Sequence, residues 1–414
     1  MQFIQRLRMG GLLSFPPDMD FFELQPLNVL IGPNASGKTN FIEVLELLRA
    51  TPTNFAAAIQ DGGGAAEWVW KGDYTKHMIE EVMRGRDPAD VLNLSPKAST
   101  IEVEISRGQR IVRPLKYRLS FTAISSRVNI IAESIEKVNT RQGAKPYFYY
   151  TFQRGLPAIN IRVRKSRGRT EERTLQSDDL SLDQSVLAQR KDRDLYPELY
   201  RLGYQFQSIQ TFREWTFGRY SALRQPQQTD LPEQRLLSDS SNLALVLNQI
   251  EHKSGPVFND HLKRFFPRFE RMSTLISGGT IQFYLHESGF REAIPPTRLS
   301  DGTIRFITLL ATLLAPEPPS LVCIEEPELG LHPDAVALLA DLLVEASQRM
   351  QLVVTTHSDT LVSALTNQPA AIVTCERLGA STVLRRLDPE KLASWLDDYR
   401  LGDLWRMGEL GANP

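Results

Sequence analysis

The sequence predicts an α/β protein with a mixed, largely parallel sheet flanked by helices and an inserted β-rich and helical lobe. Towards both ends of the chain, short apolar runs precede stretches of helical periodicity, which is typical of parallel sheets covered by helices. Between them, residues 99 to about 169 alternate with period two, as antiparallel hairpins do. We therefore expect one α/β domain, formed by residues 1–72 and 232–414, to be interrupted by a lobe at 73–231.

The composition is that of an ordinary globular protein with a large core. Of 414 residues, 42% are hydrophobic and 23% charged. The net charge of −1 excludes a chain-wide basic surface for nucleic acid. Two cysteines, Cys323 and Cys375, cannot form a disulfide framework. No run reaches the roughly 20 apolar residues of a membrane span, and the N-terminus lacks the apolar stretch of a signal peptide. We expect a cytoplasmic protein with no membrane partner.

The N-terminal part is expected to form two or three strands within residues 2–31, followed by a helix at 38–49 that ends at Thr51-Pro52. Trp68 and Trp70, beyond three consecutive glycines, are expected on a half-buried strand.

In the lobe we expect a polar helical segment at 74–90, then hairpins, mainly helix at 180–217 and a polar linker at 224–232. The C-terminal part predicts two β/α units. A strand at 321–324 precedes a helix after Pro333, and a strand at 352–355 precedes a helix after Ser358.

A phosphate-binding motif follows the apolar run at 27–31. The pattern G-x-x-x-x-G-K-[ST] is matched by Gly32-Pro33-Asn34-Ala35-Ser36-Gly37-Lys38-Thr39. Backbone N–H groups of such a loop surround phosphate oxygens at a helix N-terminus, Lys38 reaches the β- and γ-phosphates, and the Thr39 hydroxyl binds Mg²⁺. A chance glycine-rich turn is the alternative, which the preceding strand and following helix disfavour.

A second motif is the apolar strand Leu321-Val322-Cys323-Ile324 that ends in Glu325-Glu326-Pro327-Glu328. Buried strands rarely end in adjacent carboxylates unless a cation or a proton transfer uses them. We expect Glu325 to hold Mg²⁺ through water, and Glu326 to orient or deprotonate the attacking water. The alternative is an acid-rich helix start before Pro327.

Two weaker signals accompany these motifs. Ser300, in Leu299-Ser300-Asp301-Gly302-Thr303, precedes a helix at 304–314 and in isolation is an ordinary N-cap. His357 follows the strand at 352–355. A lone histidine is usually a packed or surface imidazole, but at the end of a parallel strand it becomes a candidate γ-phosphate donor.

Together these motifs resemble ATPase heads of the ATP-binding-cassette (ABC) type, and especially the RecF/SMC and OLD-like group of AAA-family ATPases. The resemblance implies a P-loop NTPase fold and a head-to-head dimer with two ATP molecules at the interface. Ser300 and Gly302 would contact the γ-phosphate held by the other subunit, and His357 would be the switch residue. The implied nucleotide-binding residues are Gly32, Pro33, Asn34, Ala35, Ser36, Gly37, Lys38, Thr39, Asn40, Ser300 and Gly302.

The sequence departs from the family pattern at three points. Thr303 replaces the glutamine usual in transporters, and His332 replaces the D-loop aspartate. Only 57 residues follow His357, too few for the TOPRIM nuclease domain of OLD-type proteins. A glutamine-bearing loop is also expected, for which Gln60 is a candidate from chain order alone.

Basic residues cluster twice in the lobe, at Arg162, Arg164, Lys165, Arg167 and Arg169, and more loosely at Arg107, Arg110, Arg113, Lys116 and Arg118. They could contact DNA phosphates, but a solvated hairpin balanced by nearby acids is the favoured interpretation. The aromatic residues at 147–152 are expected in the core.

The leading hypothesis is an ATP-hydrolysing switch in which ATP closes a dimer and hydrolysis reopens it. Family resemblance implies DNA maintenance or anti-phage defence, with a separately encoded nuclease or toxin-like effector. The alternative is an ATP-dependent scaffold with little turnover. A soluble transporter subunit is disfavoured by Thr303 and the inserted lobe.

Overall fold

The computed structural model of the chain describes residues 2–75, 77, 98–106, 111, 113–138, 147–153, 156–162, 170–174, 180–213 and 215–412. Most of the segment predicted to be a polar helix at 74–90 lies outside these ranges. The same is true of Arg107, Arg110 and the stretch from Arg164 to Arg169.

A six-stranded, largely parallel sheet forms the centre of the α/β domain. In chain order its strands are β3 (Leu27–Ile31), β10 (Gln210–Phe212), β14 (Leu321–Glu325), β15 (Gln351–Thr355), β16 (Ile372–Leu378) and β17 (Ser381–Arg386). Their order in space is β10-β14-β15-β3-β16-β17, and only β17 is antiparallel to its neighbour. Every residue of β3 and β15 is buried, as expected of parallel strands covered on both faces.

An eight-stranded antiparallel sheet contains the inserted hairpins. Its strands are β1 (Ile4–Gly10), β2 (Phe22–Glu23), β4 (Ser99–Ile105), β5 (Leu115–Ile124), β6 (Arg127–Lys137), β7 (Phe148–Gln153), β8 (Leu156–Arg162) and β9 (Thr170–Thr174). They lie in the order β2-β1-β4-β5-β6-β7-β8-β9. A three-stranded sheet is formed by β11 (Gln227–Gln228), β12 (Phe269–Ser277) and β13 (Thr280–Glu287), with β13 in the middle.

Helices cover the sheets. They are α1 (Lys38–Ala50), α2 (Phe55–Asp61), α3 (Ala65–Trp68), α4 (Val186–Gln189), α5 (Pro197–Gln207), α6 (Leu243–Phe265), α7 (Asp301–Leu313), α8 (Pro333–Ser347), α9 (Asp359–Ala364), α10 (Pro389–Leu396) and α11 (Leu401–Met407). Short 3-10 turns lie at Ala222–Arg224, Pro296–Arg298 and Pro369–Ala371. Within the described ranges, no helix combines the length and the apolar content that a bilayer span requires.

The core has two layers because side chains of a strand alternate between the two faces of its sheet. Val322 and Ile324 of β14 pack in one layer with α6, α7 and α8. Leu321 and Cys323 of the same strand pack in the other layer with α1 and the antiparallel sheet. The parallel sheet is thus held between helices and a second sheet, and the predicted fold class is confirmed.

The sheets do not follow the predicted domain boundaries at residues 72 and 231. Strands β1 and β2, assigned to the α/β domain, pair with the lobe strand β4 or with each other. Conversely, β10 lies in the segment assigned to the lobe, yet Phe212 pairs with Ile324 of β14. Apolar patterning marks strands but does not identify their partners, so these boundaries could not be read from the chain.

Three local expectations need correction. Trp68 ends the short helix α3, where its indole donates to the carbonyl oxygen of Ile59, and Val69 forms an isolated β-bridge with Leu12, so the predicted strand is reduced to this bridge. The region 180–217 is only partly helical. The segment 224–232 contains β11 and a buried Arg224 rather than only a polar linker. Among the aromatic residues at 147–152, Tyr149, Tyr150 and Phe152 are buried, which confirms the core interpretation for these three, whereas Tyr147 is exposed and that part of the prediction is wrong.

Candidate functional site

The loops that follow β3, β14 and β15 lie at one edge of the parallel sheet. Glu325 pairs with Thr355, and Thr355 pairs with Leu30 on its other side. Because these strands are parallel and in register, their carboxyl ends bring the 32–37 loop, the Glu325 turn and His357 together. This is the edge where open α/β sheets bind ligands.

The 32–37 loop requires glycine at its two ends. Gly32 and Gly37 have φ angles of 147° and 104°, and a Cβ atom would collide with the Cys375 carbonyl oxygen at the first and the Thr382 hydroxyl at the second. Thr382 also donates a 2.9 Å hydrogen bond to the carbonyl oxygen of Ser36. Strand β17 therefore supports the loop from outside. Asn34 and Ala35 remain exposed at its tip.

Lys38 is the buried first residue of α1. Its ammonium group donates to the carbonyl oxygens of Gly32 (2.7 Å) and Pro33 (2.9 Å). Burial lowers the Lys38 pKa, and the charges of Cys375, Glu326 and Glu325 oppose that shift. The amide-lined loop and the two carboxylates therefore lie within electrostatic range of each other, although 287 residues separate Lys38 from Glu325 in the chain.

Glu325 ends β14 with one carboxylate oxygen that has no hydrogen bond. Burial raises the Glu325 pKa, while the Arg213 charge and the Thr39 hydroxyl lower it. Its Oε1 is buried and accepts no hydrogen bond. The hydroxyl oxygen of Ser36, in the 32–37 loop, is likewise buried and unpartnered. A carboxylate oxygen without a hydrogen bond, beside a threonine hydroxyl, suits a hard divalent cation such as Mg²⁺.

Glu326 has a strained backbone, with a φ of 45°. Its N–H donates to the Thr355 carbonyl oxygen (3.0 Å), and its own carbonyl oxygen accepts from Nη2 of Arg305 (2.9 Å). The carboxylate is partly exposed, and its Oε1 lies 3.7 Å from Nε2 of His357. The turn thus directs Glu326 to the accessible edge of the sheet, beside the imidazole.

His357 is held by Glu328, a residue for which the sequence suggested no role. Oε1 of Glu328 accepts from the Thr356 hydroxyl (2.5 Å) and from the His357 N–H (3.2 Å), while its Oε2 is buried and unpartnered. Burial raises the Glu328 pKa. Burial also lowers the His357 pKa, as does Lys38, whereas Glu326 raises it. The imidazole is therefore biased towards its neutral form, which has one donor and one acceptor nitrogen.

Ser300 and Gly302 lie at the start of α7. The Ser300 hydroxyl oxygen accepts from the Thr303 N–H (3.1 Å) as an N-cap, and a Cβ atom at Gly302 would lie 2.8 Å from the carbonyl oxygen of Gly330. In the described part of the chain, neither residue is joined by a hydrogen bond to the 32–37 loop. The structure thus brings Lys38, Glu325, Glu326 and His357 together and leaves Ser300 exposed elsewhere on the same chain.

Two arginines that the sequence did not single out support this part of the site. Arg224 is buried, pairs with Asp301 and donates to the carbonyl oxygens of Pro296 and Leu299, both at 2.7 Å. Arg305 of α7 lies against the stacked rings of Trp215 and Phe217, with its guanidinium carbon 5.4 and 5.3 Å from their centroids. Arg224 opens the segment predicted to be a linker and Arg305 lies in the helix predicted at 304–314, so neither position carried a sequence signal for the site.

The remaining candidates have other surroundings. Asn40 donates to the Ser14 hydroxyl (2.7 Å). His332 is the exposed N-cap of α8, and Gln60 is exposed on α2. In the second basic cluster, Lys116 and Arg118 both lie against Glu102 of the neighbouring strand, the latter at 3.9 Å. The two cations thus share one carboxylate, which Arg8 also approaches at 4.0 Å, and DNA contact stays a prediction.

Comparison with known proteins gives a family and a fold. Residues 27–363 match the family model described as "AAA domain, putative AbiEii toxin, Type IV TA system". The structure is similar to an Smc head domain with an extended coiled coil bound to the C-terminal domain of ScpA, from Pyrococcus furiosus. That match has a TM-score of 0.53 and 13% identity over 96% of this chain and 99% of that one.

A second Smc head, bound to the C-winged helix domain of ScpA, matches with a TM-score of 0.50 and 14% identity over 95% of this chain and 99% of the other. No curated protein matches the sequence. At these identities the structural matches establish the fold, which is the P-loop NTPase head of ABC type expected from the motifs.

Proposed function

Because this chain belongs to the AAA-domain family described as putative AbiEii toxins of type IV toxin–antitoxin systems, we propose that it is an ATP-hydrolysing switch. It binds ATP with Mg²⁺ in composite sites of a head-to-head dimer. It acts in DNA maintenance or anti-phage defence through a separately encoded effector.

One observation carries the proposal. Lys38, Glu325, Glu326 and His357 come from three segments far apart in the chain and meet at the carboxyl edge of one parallel sheet. Buried polar atoms without hydrogen bonds occur at the same edge, on Ser36 and Glu325. Such atoms are costly in a protein interior unless a ligand engages them. A triphosphate with its cation is a ligand that this donor and acceptor set fits.

Each residue then has a defined task. Thr39 and Glu325 would hold Mg²⁺, which neutralises charge on the triphosphate. Lys38 exchanges its bonds with the loop carbonyls for phosphate oxygens, and the backbone N–H groups of the loop hold the others. Glu326 orients or deprotonates water, and neutral His357 donates a hydrogen bond towards the γ-phosphate.

The position of Ser300 supports dimerisation. Ser300 is exposed and is not bonded to the 32–37 loop, although the family resemblance assigns it to γ-phosphate. A second copy, facing the first, would supply it. The two Smc heads were captured with domains of ScpA, which supports heads of this fold as docking platforms for a separate protein.

The decisive experiment measures ATP turnover and particle mass together. We expect the wild-type protein to turn over ATP, and Glu326→Gln to lose turnover and accumulate as an ATP-bound dimer. A wild-type protein whose turnover is negligible and is unaffected by Glu326→Gln would instead support the ATP-dependent scaffold.

The composite site is tested by Ser300→Arg, which places a bulky cation at the exposed start of α7. We expect it to abolish the ATP-dependent dimer of Glu326→Gln while leaving nucleotide binding intact. Ser277→Arg, on the exposed end of β12, is the matched control. Equal dimerisation in both variants would refute the head-to-head arrangement. Turnover measured with and without DNA then tests the lobe as a DNA sensor.

A further inference from the structure

Arg213 follows β10, at the same edge of the sheet as the candidate site. Phe212 pairs with Ile324, so the next residues along the two parallel strands, Arg213 and Glu325, lie side by side at the end of the sheet. The motif-based interpretation gave Arg213 no role, because it lies in a segment expected to be helical.

The Arg213 guanidinium faces three carboxylates from two elements. Its Nη1 lies 3.0 Å from Oε2 of Glu46, its Nη2 lies 3.2 Å from Oε1 of Glu43, and its Nε lies 3.5 Å from Oε1 of Glu325. All four side chains are 20–31% exposed, so water screens them only in part. Burial lowers the Arg213 pKa, but the three acids outweigh it and raise the value overall.

This arrangement links the two elements that carry the expected metal ligands. Glu43 lies one helical turn after Thr39 on α1, and Glu46 follows three residues later. Glu325 ends β14. One guanidinium therefore ties the first turns of α1 to the end of β14, and its planar fork suits several acceptors in fixed directions.

The charges in this group do not balance. Arg213 offers one positive charge to three carboxylates, and its contact with Glu325 is through Nε at a distance that leaves Oε1 without a hydrogen bond. An oxygen that is held in place but accepts no hydrogen bond from its neighbour can still bind a cation. The excess negative charge favours a divalent cation.

We propose that Arg213 is a positioning residue for the magnesium site, bridging α1 and β14 so that Thr39 and Glu325 are held at the separation that the cation requires. This inference rests on the proposed function. It concerns the residue that orients the metal ligands and assigns Arg213 no contact with the cation.

The test is the factor by which Mg²⁺ strengthens binding of a non-hydrolysable ATP analogue, taken as the ratio of Kd in EDTA to Kd in Mg²⁺. We expect Arg213→Gln to reduce this factor about tenfold or more, as loss of a residue that orients metal ligands does elsewhere. Arg213→Lys should recover part of it. Arg264→Gln, which removes an ion pair with Asp341 on the helical face, should leave it unchanged.

The metal-free Kd and the unfolding temperature separate positioning from general support, and both should stay near wild type in Arg213→Gln. An unchanged or larger magnesium factor would overturn the inference, as would an equal loss of metal-free binding. If Arg213→Gln does not fold, Glu43→Gln with Glu46→Gln removes the anchors instead, and an unchanged factor there is equally decisive. A wild-type protein that binds no analogue in EDTA or Mg²⁺ would refute the proposed function itself.

Discussion

Buried polar groups at the two ends of the parallel strands differ in how completely they are hydrogen-bonded. At the carboxyl ends, Glu325 and Glu328 each keep a buried oxygen without a hydrogen bond, and Glu326 has a strained backbone. At the amino ends, Gln351 and Asn28 are completely buried and fully bonded.

The Gln351 amide shows how complete the bonding is at the amino ends. Its oxygen accepts from the N–H groups of Phe3 (3.2 Å) and Ile4 (2.8 Å), and its nitrogen donates to the carbonyl oxygens of Ile4 (2.9 Å) and Gln25 (3.0 Å). This one side chain joins β15 of the parallel sheet to β1 of the antiparallel sheet.

The contrast separates structural polar groups from functional ones. A bonded polar side chain in the core stabilises one arrangement of the chain, whereas an unbonded one is tolerated where a ligand will engage it. Burial alone therefore does not mark a site. A buried polar atom without a hydrogen bond, at the edge where loops converge, does mark a site.

The largest expected effect is at the carboxyl end. Lys38→Ala should reduce ATP turnover about 1000-fold, roughly 4 kcal/mol of transition-state stabilisation, because it removes the cation that faces the phosphates. The unfolding temperature should stay close to wild type, since a buried charge is removed with its two bonds. Steady-state phosphate release measures the first quantity and thermal unfolding the second.

Lys391→Ala, on the exposed surface of α10, is the control and should change neither the turnover nor the unfolding temperature. Turnover of Lys38→Ala within about tenfold of wild type would contradict the assignment of the site.

The second-largest expected effect is at the amino ends of the strands, and it is on stability instead of turnover. Gln351→Leu should lower the free energy of unfolding by about 3 kcal/mol, because four buried or partly buried backbone groups lose their partner together. Turnover per folded molecule should not change. Urea unfolding checks the first expectation, with Gln207→Leu, exposed on α5, as the control. A loss of unfolding free energy below 1 kcal/mol, or a fall in turnover, would contradict the proposed difference between the amino and carboxyl ends of the strands.

A buried carboxylate in the antiparallel sheet extends the comparison to pH. Glu133 is fully bonded: Oε1 accepts from the hydroxyls of Tyr117 (2.9 Å) and Ser185 (2.5 Å), and Oε2 accepts from the Val186 N–H (2.9 Å). Burial nevertheless raises its pKa from 4.5 to about 7. The folded state therefore holds this proton more tightly than the unfolded state, and stability falls as pH rises between these values.

From pH 5 to pH 8 the wild-type protein should lose about 2 kcal/mol of unfolding free energy through Glu133. Glu133→Gln should lack that part of the slope. Chemical unfolding across the pH range measures both, and Glu136→Gln, on the partly exposed side of the same strand, should keep the wild-type slope. Parallel curves for wild type and Glu133→Gln would show that burial does not perturb this group.

The fold class and the residues of the carboxyl edge could be predicted from the sequence, because each motif is local: an apolar strand followed directly by its loop. Lys38, Glu325 and His357 could be found in this way. The arginines that support these residues could not be found from the sequence. Arg213 and Arg224 come from a segment whose place depends on Phe212 pairing with Ile324, and periodicity carries no information about such a partner.

The membership of β1 was missed for the same reason. The apolar pattern of residues 4–10 is compatible with either sheet, and only the pairing of Leu7 with Val103 decides between them.

The smallest effect tests whether the strain at Glu326 is maintained from a distance. Arg305→Lys removes the planar group that lies against Trp215 and Phe217 and donates to the Glu326 carbonyl oxygen. We expect kcat to fall about tenfold, roughly 1.4 kcal/mol, with KM for ATP unchanged, since Arg305 acts through the backbone that orients Glu326. Arg298→Lys, exposed near the start of the same helix, is the control. A rise in KM at constant kcat would mean that Arg305 serves nucleotide binding, and the strained turn would then be maintained by β14 and β15 alone.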